Sequence, residues 1–225
     1  MVNYLLFLLP ALLLSFYAQS KVKSTFARYS QVNSKRGYTG AEAAKEILRR
    51  NGLGGTVRIE AVAGALSDHY DPQTQTVRLS EPVYNARSLS AIGVAAHEVG
   101  HALQHSQQYG PLALRHRIVP ITGFASTASF PIIILGFLLG AANLIVVGVL
   151  LFSFVVLFHV VTLPVELNAS NRAVLLLSES GLIAPDEVSG VKKVLGAAAL
   201  TYIAATLSSI ATLLYYLSIF TGRDD

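Results

Sequence analysis

The stretch "IVPITGFASTASFPIIILGFLLGAANLIVVGVLLFSFVVLFHVVTLPV", residues 118–165, contains no Asp, Glu, Lys or Arg over 48 positions. As one helix rising about 1.5 Å per residue it would extend roughly 72 Å, more than twice the ~30 Å hydrocarbon core of a bilayer. It therefore predicts two transmembrane helices, residues 118–140 and 143–164, with a fold-back near Gly140–Asn143, where small and turn-forming residues interrupt the apolar run. Pro164 is expected to close the second of these spans.

Two further stretches lack those charged residues and predict a span at each end of the sequence, residues 2–20 and 194–220. No basic residue precedes the first apolar run, and Lys21 and Lys23 follow it, which favours a retained anchor over a cleaved signal peptide. The hydrophobic fraction of 52% and the charged fraction of 13% agree with this assignment. The chain is thus predicted to be a mainly α-helical membrane protein with four transmembrane helices.

The distribution of basic residues predicts the orientation in the membrane. An even number of spans puts residues 21–117 and 165–193 on one side, and that side holds 16 of the 17 Lys and Arg residues. By the positive-inside rule this side is cytoplasmic, and both termini lie outside. Lipid headgroups account for the net charge of +4, and no basic run is interleaved with aromatics, so nucleic acid is not an expected partner.

The larger extramembrane segment, residues 21–117, is predicted to be a small α+β domain. The segment "TGAEAAKEILRRNGLG" predicts a helix over about Ala41–Asn51, and residues 21–38 predict a basic arm on the lipid surface or a simple linker. "TVRIEAV" (56–62) and "TVRLS" (76–80) predict a β-hairpin or two neighbouring strands around the turn-rich "SDHYDPQTQ". A helix from about Ser88 to Gln107 follows.

The motif "HEVGH", residues 97–101, lies on that last helix. Residues four apart share one face of a helix, so His97 and His101 can bind one ion, and Glu98 is rotated by about 100° toward a water beside it. This is the arrangement of H-E-x-x-H zinc metalloproteases, where glutamate is the general base. The alternative, a merely structural helix, would bury two imidazoles and a carboxylate without an ion, at a cost in free energy.

A third ligand must be His, Asp or Glu, because the chain contains no cysteine. His105 is about 12 Å further along the helix than His97, too far to join the same ion. Glu166, directly after the third span, is the first candidate, although it could instead be a helix N-terminal charge. The residues leave four rivals open: His69, Asp71, Glu179 and Asp68.

The segments "DHYDP", "VRLSEPVYNARSLSAIGVAAHEVGHALQH" and "LPVELNASNRA" resemble the YugP-type neutral zinc metallopeptidases of bacterial membranes, over nearly the whole chain. The chain is also similar, more distantly, to the HtpX-type membrane proteases. The resemblance implies a zincin-like, gluzincin-type protease domain on the cytoplasmic side of the bacterial membrane, one Zn²⁺ per chain, and Glu166 as its third ligand. In the HtpX pattern, an aspartate that supports the site stands where this chain has Ser170, and Asn168 also replaces an aspartate common in YugP-type sequences. Both side chains are expected to contact the ligand residues on the side away from the metal. Relative to aspartates at these positions, they are expected to lower metal affinity by about 10- to 100-fold.

Three residues are predicted to contact the substrate or its oxyanion: His69, Tyr70 and Arg172. His159, seven residues before Glu166, is predicted to line a polar cavity or to hydrogen-bond a neighbouring helix, and we favour the second role.

The sequence thus favours a zinc endopeptidase whose substrates are membrane or membrane-associated polypeptides, with a regulatory membrane partner as a possible addition. An extended substrate would pair with a strand edge such as "TVRLS". One alternative is a non-proteolytic zinc-binding assembly or quality-control factor. The other is a redox or transport protein in which His159 and the paired histidines bind haem or carry protons.

Overall fold

A computed structural model describes the backbone of residues 2–221 and the side chains of residues 8–218. The chain is mainly helical, with one small three-stranded sheet. The helices of the described part are α1 (Val2–Ser30), α2 (Gly40–Arg50), α3 (Glu81–Tyr84), α4 (Leu89–Ser106), α5 (Gly110–Leu138), α6 (Ala142–Glu179) and α7 (Val188–Thr221), and the strands are β1 (Arg58–Val62), β2 (His69–Asp71) and β3 (Thr76–Ser80).

The chain divides into two compact units. The first contains the described residues up to Ala18, residues 110–165, and those from Thr201 onward. The second contains residues 19–109 and 166–200, and therefore holds the sheet and the histidine motif. The division falls inside α6, between Val165 and Glu166.

Within the described part of the chain, three helices, α5, α6 and α7, are long and apolar enough to cross a membrane. They contain the predicted span 143–164, the predicted span 118–140 except for its last two residues, and nearly all of 194–220, so the prediction of apolar helices in these segments is confirmed. Residues 219–220 of the last span lie outside the described side chains. The predicted first span, residues 2–20, is helical as part of α1, but the side chains of residues 2–7 lie outside the described part, and a count of four spans stays a prediction.

The fold-back in the first unit occurs where the sequence predicted it. α5 ends at Leu138, α6 begins at Ala142, and Gly140 between them has φ +62°. Glycine is suited to this left-handed conformation because it has no Cβ. Gly136 lets the chain return closely, since a Cβ there would lie 2.8 Å from the backbone nitrogen of Ile145.

Pro164 does not end the helix, because α6 continues through this residue to Glu179; that the membrane span ends at Pro164 stays a prediction. Proline removes one backbone donor, and apolar membrane helices tolerate it when the freed groups are satisfied locally. Glu166 therefore lies inside a helix, which excludes its role as a helix N-terminal charge. The predicted arm, residues 21–38, is also helical up to Ser30 as the end of α1.

In the second unit, α2 and α4 begin at caps that the sequence encodes. Thr39 Oγ1 accepts the Glu42 amide at 3.1 Å, while Glu42 Oε2 accepts the Thr39 amide at 2.8 Å, which forms a capping box. Ser88 caps α4 by accepting the amide of Ala91. Both predicted helices are confirmed, and their buried faces form one core with the sheet.

The sheet has the order β1-β3-β2. β1 and β3 are neighbours, as one of the two predictions stated, but they run parallel, with Arg58 opposite Thr76, so the hairpin is wrong. β2, which arises from the turn-rich segment, pairs antiparallel on the other side of β3. Because β3 is paired on both sides, "TVRLS" has no free edge for a substrate, and that prediction is also wrong.

Candidate metal centre

α4 places His97 and His101 one turn apart on the same face. Their ring centroids are 4.7 Å apart and their planes are nearly perpendicular, at 86°. Both rings are mostly buried, with 13% and 12% of the side chains exposed. Helix α4 alone therefore brings two metal-binding groups together.

α6 supplies the third group. Glu166 Oε2 lies 3.2 Å from His97 Nε2 and 3.5 Å from His101 Nε2, and Glu166 is only 2% exposed. Nitrogen and oxygen ligands about 2.1 Å from a tetrahedral zinc ion are separated by about 3.4 Å. Both distances from the carboxylate match this spacing, and among the described residues these three side chains form a group, with ligand atoms within 4.8 Å of one another, that could hold such an ion.

The close approach of α6 to α4 depends on Gly100, between the two histidines. A Cβ on Gly100 would lie 2.9 Å from the carbonyl oxygen of Ala169, which is fully buried. Any larger residue would therefore collide with the backbone of α6. The glycine allows the Glu166 carboxylate to reach the imidazoles.

The second ring nitrogen of His97, Nδ1, also has a hydrogen-bond partner on α6. Ser170 Oγ, one helical turn beyond Glu166, lies 3.2 Å from His97 Nδ1. The hydroxyl can accept a hydrogen bond from Nδ1–H, and this leaves Nε2, the atom that faces Glu166, with its lone pair available. Ser170 thus contacts the His97 ring on the side opposite Glu166; its role behind a metal ligand stays a prediction.

A chain of hydrogen bonds fixes the orientation of His101. The Arg172 guanidinium can only donate, and its Nε donates to Asn168 Oδ1 at 2.7 Å. The same oxygen accepts Gln104 Nε2 at 2.9 Å, so Gln104 Oε1 is the atom 3.0 Å from His101 Nδ1. An amide oxygen only accepts, which places the proton on Nδ1 and leaves Nε2 free to bind a cation.

The electrostatic surroundings of His101 favour a positive charge. Burial alone lowers the pKa of this imidazole, but the hydrogen bond to Glu166 and the charges of Glu98 and Glu166 outweigh it and raise the pKa above its ordinary value. The acidic neighbours would stabilise a bound cation in the same way.

Glu98 is 8% exposed, and its carboxylate has no hydrogen bond to any of the described residues. It follows His97 directly and therefore points about 100° away from the ligand face. The charge of Glu98 acts on the imidazole of His101, so the carboxylate lies near the candidate metal centre.

The other predicted residues lie on the sheet or in its turns. His69 is exposed, with Nδ1 2.8 Å from the Ser67 carbonyl oxygen, and the Tyr70 hydroxyl lies 2.9 Å from His105 Nδ1. Arg172 is engaged by Asn168 and by Gln107 Oε1 at 2.5 Å. The structure does not place any of these three beside the ligand atoms.

The rival third ligands are occupied elsewhere or separate from the centre. Asp68 accepts the backbone amide of Ser80 at 2.7 Å, and Asp71 accepts Arg78 Nη1 at 2.9 Å, so both brace the sheet. Glu179 is exposed at the end of α6, more than three turns after Glu166.

His159 belongs to the first unit. Its buried Nδ1 has no hydrogen-bond partner among the described residues, and only its backbone carbonyl contacts α7, through Thr206 Oγ1 at 3.3 Å. The side-chain hydrogen bond to a neighbouring helix that we favoured is therefore not formed by this nitrogen.

The sequence profile of a family described as "Putative neutral zinc metallopeptidase" matches residues 4–221. The chain belongs to this family. It is 55% identical over 218 residues to the "Putative membrane protease YugP" of Bacillus subtilis, covering 96% of both chains. No solved structure matches the chain. The family and the donor set agree: two imidazoles and a carboxylate are typical ligands of zinc in peptidases.

Sequence reasoning missed two residues of the centre, Gln104 and Gly100. Gln104 is fully buried and directs His101. A glutamine three residues after a ligand histidine, on the same face of the helix, was the available signal. Gly100 is preceded and followed by helix-forming residues, and a glycine within a helix indicates close packing.

Proposed function

We propose that this protein is a membrane-embedded zinc endopeptidase, and that His97, His101 and Glu166 hold one zinc ion per chain. The observation that carries the proposal is the spacing of 3.2 Å and 3.5 Å between the Glu166 oxygen and the two imidazole nitrogens, with Glu98 beside them. Zinc bound there would act as a Lewis acid and would lower the pKa of a bound water molecule to about 7.

Glu98 is the general base and then the general acid. Its carboxylate takes a proton from the attacking water, and the proton is afterwards donated to the amine that leaves the cleaved peptide bond. The absence of a hydrogen-bond partner within the described chain leaves both oxygens of Glu98 available for this exchange. His97 and His101, fixed by Ser170 and Gln104, keep the site in a geometry that needs little rearrangement.

The substrate is an extended polypeptide of a membrane or membrane-associated protein. In the sheet the free edge next to α4 belongs to β2, where the N–H and C=O of Tyr70 face away from β3, because the Tyr70–Val77 pair is not hydrogen-bonded. We place substrate pairing there instead of at β3. The donor that stabilises the oxyanion stays a prediction among His69, Tyr70 and Arg172.

The site faces the cytoplasm in this proposal, because the second unit contains nearly all the basic residues of the chain. A regulatory membrane partner stays a prediction of the sequence. A non-proteolytic zinc-binding factor is the rival function. A closed site with four protein ligands would favour the rival, whereas the described residues provide three ligands and leave one position for water and substrate.

Replacement of Glu98 by Gln tests the proposal. In purified full-length protein with zinc, we expect cleavage of an unfolded casein substrate to fall by about 100-fold or more, while the zinc content measured by mass spectrometry stays at one per chain. Glu179→Gln, which changes an exposed glutamate of α6, is the matched control and should cleave normally. Normal cleavage by Glu98→Gln would refute the assigned role. Stoichiometric zinc without any cleavage by the wild type would favour the non-proteolytic factor.

A further inference from the structure

β1 has an open edge on the side of the sheet away from β2. The Arg58 amide donates to the Gln75 carbonyl at 3.0 Å, so the backbone groups of Arg58 and of alternate residues after it face β3. The N–H and C=O groups of Ile59 and Ala61 therefore face away from the sheet. No other described strand pairs with them.

A groove of about 710 Å³ lies along this edge, between β1, α2 and the end of α3. Four consecutive residues, 57–60, line it. Successive side chains of a strand point to opposite faces, so a groove that contacts four in a row must run along the strand edge and not over one face. Leu48, Val57 and Tyr84 give the groove apolar walls.

Among the described residues, two cations line the groove, Lys45 and Arg58, and Arg58 lies 4.0 Å from Glu60, so Lys45 carries the unpaired positive charge. Its acidic neighbours have partners: Glu42 is bonded in the capping box of α2, and Glu60 lies 3.5 Å from Arg78. Lys45 is exposed and has no hydrogen bond or ion pair within the described chain. An occupant with a carboxylate near Lys45 would therefore complement the site.

We propose that β1 binds an extended segment of another polypeptide as an additional strand, with apolar side chains in the groove and an acidic side chain at Lys45. Backbone hydrogen bonds to Ile59 and Ala61 provide the affinity, and the groove provides the selectivity. Its residues are separate from His97, His101, Glu98 and Glu166, so the site is a second peptide-binding surface that does not depend on the protease activity.

The probe for the test is a fluorescent, acetylated octapeptide in which valine and glutamate alternate. Its binding to the full-length Glu98→Gln protein in detergent is measured by fluorescence anisotropy, so that cleavage does not interfere. Two matched peptides are compared: one with lysine in place of glutamate, and one with alternate N-methylated amides that cannot pair along a strand edge. We expect saturable binding of the first peptide only.

Two substitutions locate the binding. Ala61→Pro removes an outward N–H at an exposed edge position, where proline is tolerated, and should weaken binding by about tenfold, while Ala61→Ser keeps the N–H and should bind as before. Lys45→Glu should reverse the preference in favour of the lysine peptide. The proposal is overturned if the three peptides bind equally, or if Ala61→Pro with an unchanged melting temperature binds normally. If Ala61→Pro lowers the melting temperature, Lys45→Glu decides: an unchanged preference overturns the proposal.

Discussion

Arg172 determines the orientation of a side chain that it does not touch. As the donor-only member of the chain Arg172–Asn168–Gln104–His101, it fixes each amide in turn and finally the proton of His101. Asn168 and Ser170 therefore provide hydrogen bonds behind the imidazoles without adding negative charge. These neutral partners orient the ligands, whereas carboxylates would also raise their basicity.

Gln104→Leu should lower zinc affinity by about 10- to 100-fold, because His101 Nδ1 loses the acceptor that fixes its proton. The affinity is measured by competition with a chromophoric chelator. Gln73→Leu, at an exposed turn where the side chain has no partner, serves as the control and should bind zinc as the wild type does. Equal affinities of the two variants would contradict the role of Gln104.

For individual residues, the sequence predicts which side chains of one helix lie close together. The pair His97 and His101 follows from helix geometry alone. Glu166 is 65 residues after His101. Its position after the third span made it the first candidate, but the rivals stayed open until the resemblance was considered, because no spacing rule connects residues on different helices. The hydrogen bond from Gln104 to Asn168 could not be predicted from the sequence for the same reason.

The packing of α4 against α6 is the contact between elements that forms the centre. Gly100→Ala adds a Cβ 2.9 Å from the Ala169 carbonyl oxygen and forces the two helices apart. We expect a loss of about 1–3 kcal/mol in the free energy of unfolding, and weaker zinc binding because Glu166 moves away from the imidazoles.

Gly196→Ala is the control for this change, since a Cβ at Gly196 in α7 meets nothing within 4 Å. It should leave zinc binding unchanged and stabilise the protein by up to about 1 kcal/mol, since alanine is the better helix former. Thermal unfolding in detergent and chelator competition measure both effects. Wild-type zinc affinity in Gly100→Ala would show that the helices do not need this close approach.

The capping box of α2 predicts a pH-dependent stability. The hydrogen bonds from the Thr39 amide and hydroxyl lower the pKa of Glu42, so the box stabilises the fold above the ordinary glutamate pKa near 4.5. This contribution is lost as the pH falls through the lowered value, where Glu42 becomes protonated in the folded protein.

Thr39→Ala should therefore cost about 1 kcal/mol at neutral pH, and the difference from the wild type should narrow below pH 4.5. It does not vanish, because the bond from the Glu42 amide to the threonine hydroxyl does not titrate. Thr39→Ser, which keeps the hydroxyl, is the control. Thermal unfolding between pH 3 and 7 is the measurement. Both variants keep the backbone amide of residue 39, so a pH-independent difference would contradict the contribution of the Thr39 hydroxyl to the pKa of Glu42.

Sequence patterns predicted the helices well and the strand directions poorly. Thr39 and Ser88 are capping signals that can be identified from neighbouring residues, and both cap the helices that they precede. Alternation along "TVRIEAV" and "TVRLS" identifies which side chains share a face, but it does not distinguish a parallel neighbour from an antiparallel one. Pro164 does not end α6, because proline usually ends a helix in a water-soluble protein but is tolerated in an apolar membrane helix.

The distribution of charge over the whole molecule predicts its orientation in the membrane. The chain has no cysteine, so single cysteines report accessibility without background. In intact cells, a membrane-impermeant maleimide should label Asn143→Cys, at the predicted outer turn, and should not label Arg36→Cys, on the predicted cytoplasmic side. Both are exposed and should react after lysis. Labelling of Arg36→Cys alone in intact cells would invert the proposed orientation.

The donor set of the metal centre has a consequence for life under oxidative stress. Thiolate zinc sites release their ion when peroxide converts sulfur to sulfenic acid or a disulfide. The group formed by His97, His101 and Glu166 contains only nitrogen and oxygen donors. We therefore expect that peroxide concentrations that remove zinc from thiolate sites leave the zinc of this centre bound and the protein active.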